Sequence, residues 1–393
     1  MNILIISQYF YPENFKINDI ATELVKRGND VSVVTGIPNY PEGKIYEGYK
    51  NKLFENYNGV KIYRTRIRPR YTGSINLFLN YMSFMFKAKK TIKKIKSNFD
   101  MVFCYEPSPI FQLTPSIYAK KLFNCPLVLM CCDQWPESLK ARGINRGLIF
   151  NLVSKYCRKN MNKCDHILNV SPSFIEYNHA INGVPYEKMS WAIQPCDDFG
   201  LQEKINSANE TNLIFAGNIG HVQNVEDIVL AYSSLKYENL FIHIFGDGSK
   251  KTFCEQLVKR EGVEKNVLFY GRISATQLKK EFKKMDACLL TLSGKSDIGN
   301  TIPSKLTSYL STGKPIIAAI KGDSEAIITN NKLGLCCIPD DFNELAKIIS
   351  NFYNNKEKYF LYGKNARDFF DQNCTLDYFV NNLLIIFKNE LKR

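Results

Sequence analysis

Histidine is scarce in this chain, with four among 393 residues, which argues against a multi-histidine metal site. Twelve cysteines are present, yet no C-x-x-C pair occurs and none has the histidine spacing of a zinc site. They fall largely inside apolar runs such as LVLMCC, DACLLTL and GLCCIP, and so read as reduced, buried thiols of a cytoplasmic protein. No metal and no cofactor is expected. No apolar run approaches the roughly 20 residues that span a bilayer, and the opening MNILIIS has no basic leader, so no signal peptide is expected. A Walker loop is missing, because Gly313-Lys314 is followed by proline and lacks the upstream glycine. Low-complexity segments are missing too. Acidic residues are absent between Glu55 and Asp100, an interval that carries +11 of the net charge of +14. Such a field points to an anionic partner: a membrane surface, a phosphorylated substrate or nucleic acid. No RNP, helix-turn-helix or finger signature accompanies the charge, so nucleic acid is set aside.

What is present is an alternation of apolar strands and amphipathic helices. NILIIS (2–7), VSVVT (31–35) and the stretches 61–66, 101–105, 127–132 and 166–170 read as strands, each followed by a helical stretch or a turn-rich loop. The polar run CDDFGLQEKINSANE (196–210) follows, and the alternation then begins again at NLIFAG, LFIHIFG, NVLFYG, DACLLTL, KPIIAAI and LGLCCIP. Continuous apolar strands separated by helices mean parallel sheets covered on both faces. The reading is therefore α/β: a Rossmann-like domain over 1–195, a linker over 196–210 and a second Rossmann-like domain over 211–372. A last helix over 373–393 completes it. In doubly wound sheets, ligands sit beyond the C-terminal strand ends, so two such sheets facing each other would form an interdomain cleft from these loops.

Several loops carry candidate chemistry. NTIPSKLTSYLSTG (300–313) starts a helix at a proline and stops it at a glycine. A helix start exposes unpaired N–H groups and the positive end of the dipole, and Lys305 adds an ammonium. Asn300, Thr301, Pro303, Ser304 and Lys305 are thus anion-binding candidates. An ordinary connecting helix has the same signature. FAGNIGHVQN (215–224) follows a strand and opens a helix, with Gly217, Asn218 and Gln223 able to approach a ligand. Gly246, Asp247 and Gly248 repeat the theme one strand later, without the third glycine of a dinucleotide fingerprint. In the first half, the loop SQYFYPENFKIND offers Glu13, Asn14 and Lys16, and the long loop 36–49 offers Asn39 and Tyr40. CCDQWPESL places Asp133, Trp135 and Glu137 after a buried strand, a carboxylate beside an aromatic platform that suits sugar binding. INLFLNYMSFMFKAKKTIKKIK (75–96) is aromatic first and lysine-rich second. Phe78, Tyr81, Phe84, Phe86, Lys89, Lys90, Lys93 and Lys94 could dock on an anionic leaflet, or the apolar half could be core.

The stretches QYFYPENFKINDIATELVKRGNDVSVVTGIPNYPEGKIYEGY, CCDQWPESL, FAGNIGHVQNVEDIVLAY and IPSKLTSYLSTGKPIIAA together resemble the retaining glycosyltransferases of family four. Within that family they look most similar to the N-acetylfucosaminyl-type transferases of bacterial O-antigen and capsule synthesis. The resemblance implies the GT-B fold, with a nucleotide sugar held mainly by the second domain, a final helix crossing back to the first, and no metal. It further implies a UDP-sugar donor carrying an N-acetylated 6-deoxyhexose and a lipid-linked (undecaprenyl diphosphate type) acceptor at the inner face of the cytoplasmic membrane. Departures from the family pattern occur. Its Arg and Lys after the first strand of the second domain fall on Asn218 and Gln223, and its paired glutamates fall on Asn300 and Ser308. The two-glycine turn after its first strand becomes Asn14-Phe15-Lys16. Weight then shifts to Lys305, Ser304 and backbone N–H groups at the leaving diphosphate, with Asp133 or Glu13 orienting acceptor or sugar. A nucleotide-sugar 2-epimerase on the same fold is the alternative; it gives no reason for the basic, aromatic segment.

Overall fold

The computed structural model describes residues 1–144, 146–201, 210–294 and 301–393. The chain divides into two compact units, Met1–Gln194 with Leu376–Arg393, and Pro195–Thr375.

The first unit is built on eight strands: β1 (Asn2–Ile6), β2 (Asp30–Gly36), β3 (Phe54–Tyr57), β4 (Val60–Thr65), β5 (Met101–Glu106), β6 (Leu127–Cys131), β7 (His166–Asn169) and β8 (Met189–Trp191). They lie in the order β3-β4-β2-β1-β5-β6-β7-β8. All pairs are parallel except β3 with β4. Alternate residues of the strands feed two cores. Leu4, Ile6, Val102, Cys104 and Leu129 face one, while Ile3, Ile5, Met101, Phe103 and Val128 face the other. That is why these strands read as unbroken apolar runs. The hairpin strand β3 escaped the sequence reading because its burial is slight. Its turn, Asn58-Gly59 with φ of 50° and 84°, is the pairing that a type I′ hairpin requires.

Helix Leu376–Lys392 packs on this first unit. Phe379, Leu383 and Phe387, spaced four apart, join Val380 in the core with Ile17, Ile20 and Phe103. Burying four such side chains stabilises the contact by about 1.5–3 kcal/mol each, as an upper bound. Arg27 adds an ion pair to Asp377 at 2.6 Å.

The second unit has six parallel strands: β9 (Thr211–Ala216), β10 (Leu240–Phe245), β11 (Val267–Gly271), β12 (Ala287–Thr291), β13 (Ile316–Ala319) and β14 (Gly334–Cys337). Their order is β11-β10-β9-β12-β13-β14. Strand order reverses between β9 and β12 here, and between β1 and β5 in the first unit. The described part of the 196–210 segment belongs to this unit. The Phe199 N–H donates to Ser311 Oγ at 3.1 Å, and Asp198 pairs with Arg367 at 2.7 Å. Helix Lys356–Asn373 runs past residue 372 before the chain leaves for the first unit.

Candidate active site

At the C-terminal edge of the second sheet, the loops after β9 and β10 are interleaved by backbone bonds. The Gly217 N–H donates to Phe245 O, the Ile219 N–H to Asp247 O and the Lys250 N–H to Ile219 O, each at 2.9 Å. The Gly248 N–H donates to Asp247 Oδ1 at 2.8 Å. Only glycine fits two of these positions. A Cβ on Gly246, at φ +139°, would lie 1.8 Å from Gly217 O, and one on Gly217, at φ +146°, would lie 2.1 Å from Lys305 Cε.

Helix Ser304–Ser311 begins directly after Pro303, which as the N-cap residue supplies no side-chain cap. It is latched to the end of β9 through the buried Tyr309 hydroxyl, which accepts from the Ala216 N–H at 2.8 Å and donates to Ala216 O at 3.2 Å. Lys305, half-buried, folds back over the glycine turn. Its Nζ sits 3.8 Å from the centroid of the Phe215 ring and 3.4 Å from Asn218 O. No carboxylate pairs with it among the described residues, and removal from solvent pushes its pKa down to about 7. Asn218 and Gln223 bond each other at 2.9 Å. Lys305 thus joins the helix start bearing Pro303 and Ser304 to the loop bearing Gly217 and Asn218. Thr301 lies just upstream, and Asn300 lies outside the described residues.

The C-terminal edge of the first sheet gathers the other candidates, with roles that differ from those expected. Glu13 is buried, and its Oε1 accepts the backbone N–H groups of Asn39 and Tyr40, each at 2.7 Å. Desolvation pushes its carboxyl up to about 7 against those bonds. Asn39 is consumed too: its Nδ2 donates to Ile37 O at 2.8 Å and its Oδ1 accepts from the Arg70 N–H at 2.7 Å. Glu13 and Asn39 therefore staple loop 36–49 to loop 7–19 rather than face solvent. Tyr40 lies under the Arg70 guanidinium, 5.1 Å from ring centroid to Cζ. Asn14 is exposed, and Lys16 pairs with Asp19 at 3.6 Å. Asp133 Oδ1 accepts from Ser138 Oγ at 2.5 Å, and burial raises its carboxyl above the ordinary range. Glu137 accepts from Tyr177 OH at 3.3 Å and pairs with Lys140. Trp135 is a correction: its ring is buried against Phe111, 5.9 Å between centroids, and offers no open platform.

Two comparisons with known sequences converge on this chain. Residues 17–191 match the model of Glycosyltransferase Family 4, and residues 200–369 that of Glycosyl transferases group 1. The chain belongs to the glycosyltransferases. A relative from Escherichia coli (strain K12), WcaI, provisionally named a colanic acid biosynthesis glycosyl transferase, is 23% identical over 343 residues, covering 80% of this chain and 82% of that one. Among solved structures, sucrose-phosphate synthase from Thermosynechococcus elongatus aligns with a TM-score of 0.76 at 14% identity, covering 99% of this chain and 98% of that one. Anabaena HepE in complex with UDP and glucose aligns at 0.68 and 14% identity, over 99% and 100%. Two parallel-sheet α/β units with these neighbours make this a GT-B fold.

In this glycosyltransferase the sequence reading passed over one group, Glu106. Wholly buried at the end of β5, its carboxyl faces the Trp135 indole N–H and the Asp133 backbone N–H, neither as a well-aligned bond. Burial, with Asp133 close by, holds it well above the usual carboxylate range. An acidic residue closing an apolar strand, MVFCYE, was the available signal. A second correction concerns helix Ser74–Lys93. Tyr81 and Phe84 are core, buried with Leu77 and Ile92, whereas Phe78 and Phe86 are exposed. Lys90, Lys93 and Lys94 are exposed, and Lys89 is partly so.

Proposed function

We propose that this glycosyltransferase moves an N-acetylated 6-deoxyhexose from a UDP-sugar, with retention, to a lipid-linked glycan acceptor in bacterial cell-surface polysaccharide synthesis. It acts from the cytoplasmic side of the membrane and needs no metal ion. The observation that carries the reading is the start of helix Ser304–Ser311 at Pro303, which supplies no side-chain cap, with Lys305 held over the glycine turn and unpaired with any acid among the described residues. Unpaired N–H groups and a desolvated amine on one spot are anion-binding chemistry. The complexes of HepE with UDP and the colanic acid assignment in the name of WcaI support the donor class and the pathway class.

The chemistry follows from charge. As the bond from the sugar C1 to the diphosphate oxygen breaks, its electron pair stays on that oxygen. The acceptor hydroxyl oxygen attacks C1 from the same face, and its proton passes to the leaving diphosphate. Protonated Lys305 and the N–H groups of the helix start stabilise the developing charge, a type of contact worth roughly 3–4 kcal/mol each. Asp133 orients the acceptor, and Glu13 fixes the loop that carries Asn39 and Tyr40.

A thermal-shift screen against UDP-, GDP-, dTDP- and ADP-sugars tests the donor, since a ligand of the native state raises the melting temperature by mass action. A rise with UDP-sugars alone is expected. A rise with none of the four, or turnover of Lys305→Ala at the wild-type rate, overturns the assignment.

A further inference from the structure

The acid-free interval between Glu55 and Asp100 has a counterpart that lies elsewhere in the chain. Residues 138–164 also contain no Asp or Glu, and they carry seven Lys and Arg. Together the two stretches hold eighteen cations, leaving 34 Lys and Arg against 38 Asp and Glu in the rest of the chain. The whole positive excess therefore resides in them. Each contains one helix of the first unit, Ser74–Lys93 and Leu148–Met161.

Both helices expose several large apolar side chains. Ile75, Phe78 and Phe86 on the first helix, and Leu148, Ile149 and Leu152 on the second, are 51–77% exposed. On the first helix, Ile75, Phe86 and Lys93 recur near multiples of the helical repeat, so one stripe passes from apolar to basic. The two helices are bridged by a single ring. Phe111 lies 6.4 Å from Phe78 and 5.2 Å from Tyr156, which is one turn beyond Leu152. The same ring touches Trp135, next to Asp133. Lys87, Lys90 and Lys93 on the first helix and Lys155 and Lys159 on the second have no carboxylate partner among the described residues. By contrast, Lys61 is neutralised by Asp30 at 2.8 Å, and Arg64 by Glu55.

We infer that the two helices form one docking surface for an anionic phospholipid leaflet, with the first turns of both inserted among the acyl chains and the lysines at the headgroups. Apolar anchors combined with unpaired cations are what interfacial binding requires. A protein partner would need acidic ridges matched to two separate basic helices. The inference rests on the reading of a membrane-borne acceptor and adds the second helix, with Leu148, Ile149 and Leu152, as half of the contact.

Flotation of the full chain with vesicles tests it, using phosphatidylcholine alone and phosphatidylcholine mixed with phosphatidylglycerol. Wild type should float only with the mixed vesicles, and less as salt rises. The variant L148S/I149S/L152S should partition about tenfold less or more, as should K87Q/K90Q/K93Q, both with unchanged melting temperature. All six positions are exposed, so folding is not the issue. Wild-type partitioning by L148S/I149S/L152S overturns the second helix as a contact. Equal flotation with the uncharged vesicles, or a stable dimer in sedimentation that the triple serine variant dissolves, overturns the leaflet as the occupant. The nucleotide-sugar screen separates the two readings: flotation without any donor-induced stabilisation sinks the proposed donor chemistry and leaves the docking surface standing.

Discussion

Lys305 gives the sharpest handle on the proposed chemistry, because its free amine is held near pKa 7 by desolvation alone. In the free protein the side chain is therefore half-charged at neutral pH and uncharged above it. A diphosphate beside it favours the ammonium and returns its pKa toward the ordinary value of about 10.5. Donor binding must then take up a proton whenever the pH exceeds 7. Affinity should be flat below about pH 6 and fall by about tenfold for each pH unit above 7, each unit being about 1.4 kcal/mol. Titration calorimetry with a UDP-sugar, whose diphosphate keeps a constant charge between pH 6 and 8, reads this directly. Repeating it in buffers of different ionisation enthalpy counts the proton. Lys305→Met should bind weakly with no pH slope, and Lys305→Arg, if it binds, should also be flat because guanidinium stays charged. A wild-type affinity constant from pH 6 to 8, or an undiminished slope in Lys305→Met, refutes the reasoning.

Removing the Tyr309 hydroxyl (Tyr309→Phe) strips the Ala216 N–H of its buried partner and should cost about 1–3 kcal/mol in chemical denaturation. Gly217→Ala should displace Lys305 and abolish donor-induced stabilisation in thermal-shift assays; the Lys305 side chain can give way, but alanine is strained at φ +146°, so stability should also fall by about 1–3 kcal/mol. Gly246→Ala meets backbone instead and should lower stability by about 2 kcal/mol or more. Glu13 holds its proton in the native state up to about pH 7, well above its unfolded value of about 4.5. The native state therefore binds more protons in that window, and stability should fall from pH 4.5 to 7 by up to about 3 kcal/mol. Denaturation curves of Glu13→Gln should lack that slope.

Much of the architecture was legible because both sheets are parallel and doubly covered, so their strands are short apolar runs that composition alone betrays. The hairpin strand β3 was not, since Phe54–Tyr57 is half-exposed and its only mark is the Asn58-Gly59 turn. On the second unit the loop candidates came from glycine placement and helix-start logic, and Lys305 does lie against the glycine turn. The latch by Tyr309 could not be seen, because helical spacing marks it as core without revealing its hydroxyl's partner. The first-unit carboxylates misled for a related reason. A sequence shows that Glu13 follows a strand, but not that two backbone N–H groups from a loop some 25 residues on close over it. Trp135, Tyr81 and Phe84 failed likewise: an aromatic beside polar residues can be either anchor or filler, and only packing distinguishes them.

The return of Leu376–Lys392 to the first unit makes the second unit, in topological terms, an insertion. Removing everything after residue 375 would not trim a tail. It would pull Phe379, Leu383 and Phe387 out of their socket and open one face of the first sheet to water. An expression fragment of the first unit therefore needs helix Leu376–Lys392 spliced back.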